Sequence, residues 1–265
     1  MNHAILIAMR IAIITGASSG LGKEYVRQLA HKEKQLDQLW IIARRTDRLE
    51  EIKKNTTLPV RPLSMDLTEE SSMKELEDLL QAEKPQIQLL INAAGFGKVG
   101  NYQAVSRLES DRMITLNCKS AVDMTLICLP YMQRGSRIME VCSTAAFQPF
   151  QMLAIYAASK AFLYRYSRAL RVELFPRGIK VTAVCPYWIK DTEFIPVAKQ
   201  TDSKKAIRHF PLAGHSRSVA ALSLFDSRIG LPVSTPGPIC FLHRIVAKFI
   251  PGELMMGLWA LIRRI

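Results

Sequence analysis

The 265-residue sequence predicts an α/β fold: a doubly wound parallel sheet of six or seven strands with helices on both faces. Two observations carry that expectation. Short apolar, β-branched runs recur with helix-length amphipathic segments between them, and such alternation requires parallel strands joined by right-handed crossovers. A glycine-rich turn also stands directly after the first run, where a sheet of this kind needs a tight strand-to-helix connection. Hydrophobic residues make up 49% and charged residues 22%, a balance that supports one large core and excludes disordered or fibrous classes.

The first strand is Ile11–Ile14. It runs into Thr15-Gly16-Ala17-Ser18-Ser19-Gly20-Leu21-Gly22 and a helix over Gly20–His31. Leu39–Ala43 leads to a helix over Arg48–Lys54, and Val60–Met65 to one over Thr68–Lys84, where Thr68-Glu69-Glu70-Ser71 reads as a capping signal. Ile87–Asn92 precedes one long helix over Ala104–Met132, Arg137–Cys142 precedes a helix over Leu153–Phe175, and Lys180–Cys185 is the sixth strand. Leu231–Thr235, with Pro232 and Pro236, is the candidate seventh. From Tyr187 to His215 periodicity breaks, at the carboxyl end of a strand where open α/β sheets bind ligands, so 187–215 is read as a substrate loop. The expected organisation is an N-terminal extension over 1–9, a main domain over 10–235 and a C-terminal helical appendage over 236–265.

Thirty-six basic against 23 acidic residues give a net charge of +13, which favours anionic partners. From Pro196 onward ten Lys/Arg face three acids. No aromatic residues interleave with them as a base-stacking platform requires, and nucleic acid is not an expected partner. Five cysteines without CxxC spacing and five scattered histidines predict neither a disulfide framework nor a metal site. Met1–Met9 is apolar but lacks a basic leader region, and Met9 is a candidate start because the fold-bearing pattern begins at Arg10. No 18-residue uncharged apolar stretch exists, so the expected location is cytoplasmic. The stretch from Leu254 through Trp259 to Arg263 and Arg264 has two readings. It can lie peripherally on a membrane, or pack on the core or a second subunit; packing is favoured and a homo-oligomer expected.

Glycines 16, 20 and 22 let the backbone turn tightly and approach a pyrophosphate, with a helix N-terminus to favour its charge. The second strand ends without the acid that accepts from a ribose hydroxyl, and Arg44-Arg45 follows, suited to a 2′-phosphate. Asp66, after the third strand, can accept from an adenine amine or serve a helix N-terminus. Tyr156 and Lys160 share a helix face at i, i+4, so an ammonium can help move the phenol from about 10 toward about 7 and make Tyr156 a general acid. Ser143, at the end of the fifth strand, can donate to the same carbonyl oxygen.

Together these motifs resemble the short-chain dehydrogenase/reductase family from Arg10 to about Cys185. Its T-G-x-x-x-G-x-G stands as Thr15, Gly16, Gly20 and Gly22, its N-A-G motif as Asn92-Ala93-Ala94-Gly95, and its Y-x-x-x-K as Tyr156 and Lys160. The resemblance implies catalysis by Tyr156 and Lys160, a substrate-orienting role for Ser143, and Asn117 holding a water in a proton relay behind Lys160. It implies that Lys160 also binds the nicotinamide ribose. Further cofactor contacts are implied at Thr15, Gly16, Ser18, Ser19, Gly20, Leu21, Gly22, Arg44, Arg45, Asp66, Leu67, Asn92, Ala93, Ala94, Gly95, Tyr156, Pro186, Ile189 and Thr192. Two departures stand out: Pro186-Tyr187-Trp188 replaces the usual P-G, and Ser19 stands where many NADP-binding members carry a basic residue. NADP therefore rests mainly on Arg44, with Arg45 beside it. The implied activity is hydride transfer between NADP(H) and a carbonyl or alcohol, with a hydrophobic ketone of steroid or 3-oxoacyl type as substrate, since the tail around Leu242-His243-Arg244 and Pro251–Arg264 is similar to members that reduce lipid-like ketones. The alternatives are an NAD-dependent alcohol dehydrogenase, and a nucleotide-binding redox sensor without turnover; the complete Ser143, Tyr156 and Lys160 set argues against the latter.

Overall fold

The computed structural model describes residues 8–201 and 212–262. Seven strands, β1 (Arg10–Thr15), β2 (Gln38–Ala43), β3 (Val60–Ser64), β4 (Gln86–Asn92), β5 (Arg137–Val141), β6 (Lys180–Val184) and β7 (Val233–Ser234), form one parallel sheet. Their order is β3-β2-β1-β4-β5-β6-β7. The sheet grows outward from β1 to β3, then restarts beside β1 with β4. That reversal opens a crevice at the carboxyl ends of β1 and β4.

Alternation sets the layers. Ile11 and Ile13, with Trp40, Ile42 and Leu90, face α3 (Glu70–Glu83), α5 (Ser120–Cys128) and α6 (Ala154–Glu173). Ala12 and Ile14, with Leu39, Ile41 and Leu89, face α1 (Gly20–Lys32), α2 (Thr46–Lys54) and α8 (Ser216–Ile229). A strand covered on both sides has no polar face, which is why these segments read as continuous apolar runs. At the edge, the Arg61 guanidinium lies 4.8 Å from the Trp40 ring centroid.

The expected strands stand within a residue or two of their boundaries, but several elements differ from the sequence reading. The single helix expected over 104–132 is α4 (Arg107–Ile114), a π-helical turn over Thr115–Lys119, α5, and a short 3₁₀ turn over Leu129–Tyr131. It starts at Arg107 because Ser106 and Glu109 close a capping box. The capping signal at Thr68 is also corrected. Asp66 accepts from the backbone and hydroxyl of Thr68, and α3 begins at Glu70 without a side-chain cap. The 187–215 loop contains α7 (Phe194–Ala198), while its stretch over 202–211 lies outside the described residues. α8 occupies a segment to which the sequence reading assigned no element. Met9 gives its carbonyl to the Gln86 N–H at 2.8 Å, so the ladder's contacts begin one residue before Arg10. The remaining expectations for Met1–Met9 fall on residues 1–7, outside the description, as do Arg263 and Arg264.

The C-terminal segment forms α9 (Pro238–Phe249) and α10 (Gly252–Ile262). Cys240, Met255 and Trp259 are buried. His243 Nε2 lies 2.8 Å from Gln148 Oε1, and Trp259 donates to the Gln151 carbonyl and meets Phe150 edge-on at 5.1 Å. Phe241, Leu242, Ile245, Phe249, Leu254, Leu258 and Leu261 stay exposed. No helix among the described residues is long and apolar enough to cross a membrane.

Candidate active site

A cleft of about 700 Å³ runs along the carboxyl ends of the strands, from Arg44 and Asp66 past the glycine turn to Ser143, Tyr156 and Lys160. The turn is built for close approach. Gly16 has φ +66°, and a Cβ there would lie 2.9 Å from the Ala93 carbonyl; a Cβ on Gly22 would lie 2.3 Å from the Gly16 oxygen. Only glycine accommodates both. α1 opens from Ser19 without a side-chain cap, leaving its first N–H groups for an acceptor from outside the helix. An uncapped helix start on a cleft fits a dinucleotide pyrophosphate.

Thr15 and Asn92 lie behind this wall rather than on it. The Thr15 hydroxyl accepts the N–H groups of Ala93 and Ala94, each at 3.0 Å, tying the turn to the segment after β4. Asn92 Nδ2 donates to the Ala121 carbonyl, to Thr125 Oγ1 and to Glu140 Oε1. Their hydrogen bonds position the wall, and neither residue is among those that line the cleft. The other implied cofactor residues, from Gly16 to Thr192, line the cleft.

At the far end Arg44 is largely exposed, its Nη1 3.6 Å from Asp66 Oδ2. Burial alone would raise the Asp66 carboxyl. The two Thr68 hydrogen bonds and Arg44 outweigh it and hold the group below its ordinary value. Arg45 points elsewhere: Nε and Nη2 lie 3.2 and 3.1 Å from Ser18 Oγ, and Nη1 lies 2.9 Å from Glu193 Oε2. Thr192 sits against the glycine turn, its Cβ 3.4 Å from where a Cβ on Gly20 would stand.

At the reacting end Tyr156 and Lys160 project from one face of α6, both buried. Ser143 accepts the Ala145 N–H at 3.1 Å, and its hydroxyl stands near enough to the Tyr156 phenol to lower its pKa. Lys160 Nζ donates to the Val141 carbonyl at 2.7 Å and stands 6.0 Å from the Tyr156 ring centroid. Burial pushes the phenol up to about 12, against the lowering effect of Ser143, and burial also lowers Lys160. Asn117, fully buried in the π-helical turn, donates to the Phe96 carbonyl and Ser159 Oγ and accepts the Phe96 N–H. It thus locks the loop after β4. A Cβ on Gly95 would meet both Asn117 Oδ1 at 2.9 Å and Lys160 Nζ at 3.3 Å, so the two side chains converge on one glycine.

Aromatic side chains close the pocket. Phe194 packs on Tyr156 at 5.3 Å and on Trp188 at 6.2 Å, and Phe96, Phe150 and Tyr187 complete the apolar wall. The sequence reading set Tyr187, Trp188, Glu193 and Phe194 in the substrate loop without singling out Phe194 or Glu193, and it did not flag Arg48. Arg48 follows Arg45 by one helical turn, a spacing that could have flagged it; for Glu193 adjacency to Thr192 was the one signal.

Residues 10–203 match the family model of the short chain dehydrogenases. A solved short-chain dehydrogenase from Sphingobium yanoikuyae, in complex with NADPH, is 27% identical and superposes with a TM-score of 0.77 over 94% of each chain. The mouse (Mus musculus) 17-beta-hydroxysteroid dehydrogenase type 3 is 32% identical over 204 residues, covering 73% of this chain and 63% of that protein. The very-long-chain 3-oxoacyl-CoA reductase of Anas platyrhynchos is 29% identical over 205 residues, covering 73% and 64%.

Proposed function

This chain belongs to the short-chain dehydrogenase family, and from that membership we propose that it reduces a hydrophobic ketone with NADPH. The observation that carries the reading is one cleft with Ser143, Tyr156 and Lys160 at an aromatic end and arginines at the other. When bound, the nicotinamide supplies a hydride to the carbonyl carbon. Tyr156, held at about 12 by burial, keeps its proton at neutral pH and donates it to the carbonyl oxygen as negative charge develops there. Ser143, beside the phenol, is the second donor to that oxygen. Lys160 binds the ribose hydroxyls and Asn117 holds the relay behind it, as the family implies.

Arg44 supports NADPH, as does the NADPH bound by the Sphingobium yanoikuyae relative. The aromatic wall supports a bulky apolar substrate, and the mouse and duck relatives are named for steroid and 3-oxoacyl-CoA substrates. The outward apolar side of α9 and α10 supports contact with a second copy of the chain or with a membrane surface, and the sequence reading favours packing over a membrane. The test is NADPH oxidation across a panel of ketosteroids and 3-oxoacyl thioesters. Turnover with hydrophobic ketones is expected. Faster oxidation of alcohols with NAD would favour the dehydrogenase alternative, and dinucleotide binding without turnover the sensor.

A further inference from the structure

The carboxylate of Glu193 stands among cations at the ribose end of the cleft. Its Oε2 lies 2.9 Å from Arg45 Nη1 and its Oε1 2.5 Å from Arg48 Nη1. The other edge of Arg45 reaches Ser18 of the glycine turn at 3.1 and 3.2 Å. Two arginines at the start of α2 thus hold the Glu193 carboxylate, and Arg45 ties it on to the turn after β1 through Ser18. The hydrogen bonds of Arg48 and then Arg45 hold the Glu193 carboxyl down at about 2, so it is an anion at any working pH.

The network is strong in charge but weak in burial. The three side chains are 38%, 39% and 45% exposed, which leaves the pairs open to exchange with another anion. Guanidinium groups bind phosphate oxygens in the same forked geometry as carboxylate oxygens, and a phosphate monoester carries more charge than a carboxylate. Ser18, Arg45 and Arg48 are thus an anion site that the chain fills with its own side chain.

We propose that Glu193 is a specificity-determining residue that competes with the 2′-phosphate of NADP(H) for Arg45 and Arg48. The inference rests on the reading of this cleft as a nicotinamide dinucleotide site. With an unphosphorylated ribose the carboxylate keeps its arginines and bridges the loop after Thr192 to α2. A 2′-phosphate has to take those guanidiniums from Glu193 or sit beside a like charge, and either lowers affinity for the phosphorylated cofactor relative to the other.

The test is Glu193→Gln, which keeps size and hydrogen bonding but removes the charge at a half-exposed position. Dissociation constants of NADPH and NADH are measured by fluorescence titration at low ionic strength without substrate. The variant should bind NADPH about five- to ten-fold more tightly while NADH binding stays equal or weakens, and 0.5 M NaCl should shrink the difference. Arg48→Gln should weaken NADPH more than NADH. Equal changes for both cofactors in Glu193→Gln, or an NADPH loss in that variant, overturn the inference alone. Wild-type protein that binds neither dinucleotide overturns the dinucleotide reading and the inference with it.

Discussion

Glu140 lies in the middle of the sheet, on β5, one residue before the carbonyl that holds Lys160. It is fully buried. Its Oε1 accepts from Asn92 and Thr125, each at 3.0 Å, while Oε2 has no protein partner. Burial, only partly offset by these two bonds and by the Lys160 charge, pushes the carboxyl from 4.5 up to about 7. At about 1.4 kcal/mol per decade, ionising it in the folded state costs about 3 kcal/mol more than in the unfolded chain. The sign follows from the raised value. Below about 4.5 the group is protonated in both states and imposes no cost, and stability falls as pH rises through about 7. Glu140→Gln removes the titration. Its amide oxygen can still accept from Asn92 and Thr125, and its buried NH₂ adds a cost that does not vary with pH. Urea unfolding of both proteins at pH 5, 6, 7 and 8 should therefore give a stability difference that moves in the variant's favour by about 2–3 kcal/mol across the series. A constant offset between the two curves would show that Glu140 does not titrate there and would refute the argument from burial.

Tyr156→Phe should lower turnover by about 10²-fold or more with NADPH affinity intact, because only the proton donor is lost; near-normal turnover would remove Tyr156 from the reaction. Ser143→Ala should cost about 2.7–4 kcal/mol in transition-state stabilisation, read from kcat/KM, and an unchanged ratio would point to another donor. Arg44→Asp should weaken NADPH by about 1.5 kcal/mol, an order of magnitude in Kd, and NADH far less, whereas equal losses would show that Arg44 does not read the phosphate. Truncation after Pro251 should reduce the native mass to that of a monomer if α10 covers a second copy. Loss of vesicle co-sedimentation at unchanged mass would instead assign that helix to a membrane surface.

The sequence by itself determined what depends on neighbours in the chain. Alternating apolar runs located six strands, glycine spacing located the turn at Gly16 to Gly22, and the i, i+4 relation put Tyr156 and Lys160 on one face. Those signals are short-range, and backbone geometry turns them into structure directly. Only the tertiary structure decided how the polar groups share their partners. Arg48 and Arg45 find Glu193 across 145 and 148 residues, and Glu140 meets Asn92 across 48. Thr15 and Asn92 spend their hydrogen bonds inside the wall. Lys160 turns to Val141 because a buried ammonium takes the nearest strong acceptor, and Asn117, in the middle of the π turn, both donates to and accepts from the Phe96 backbone. Each of these choices is made where crossovers bring distant segments together in a medium of low dielectric. A buried polar group there must be paired, and the partner available is set by the packing of the whole chain.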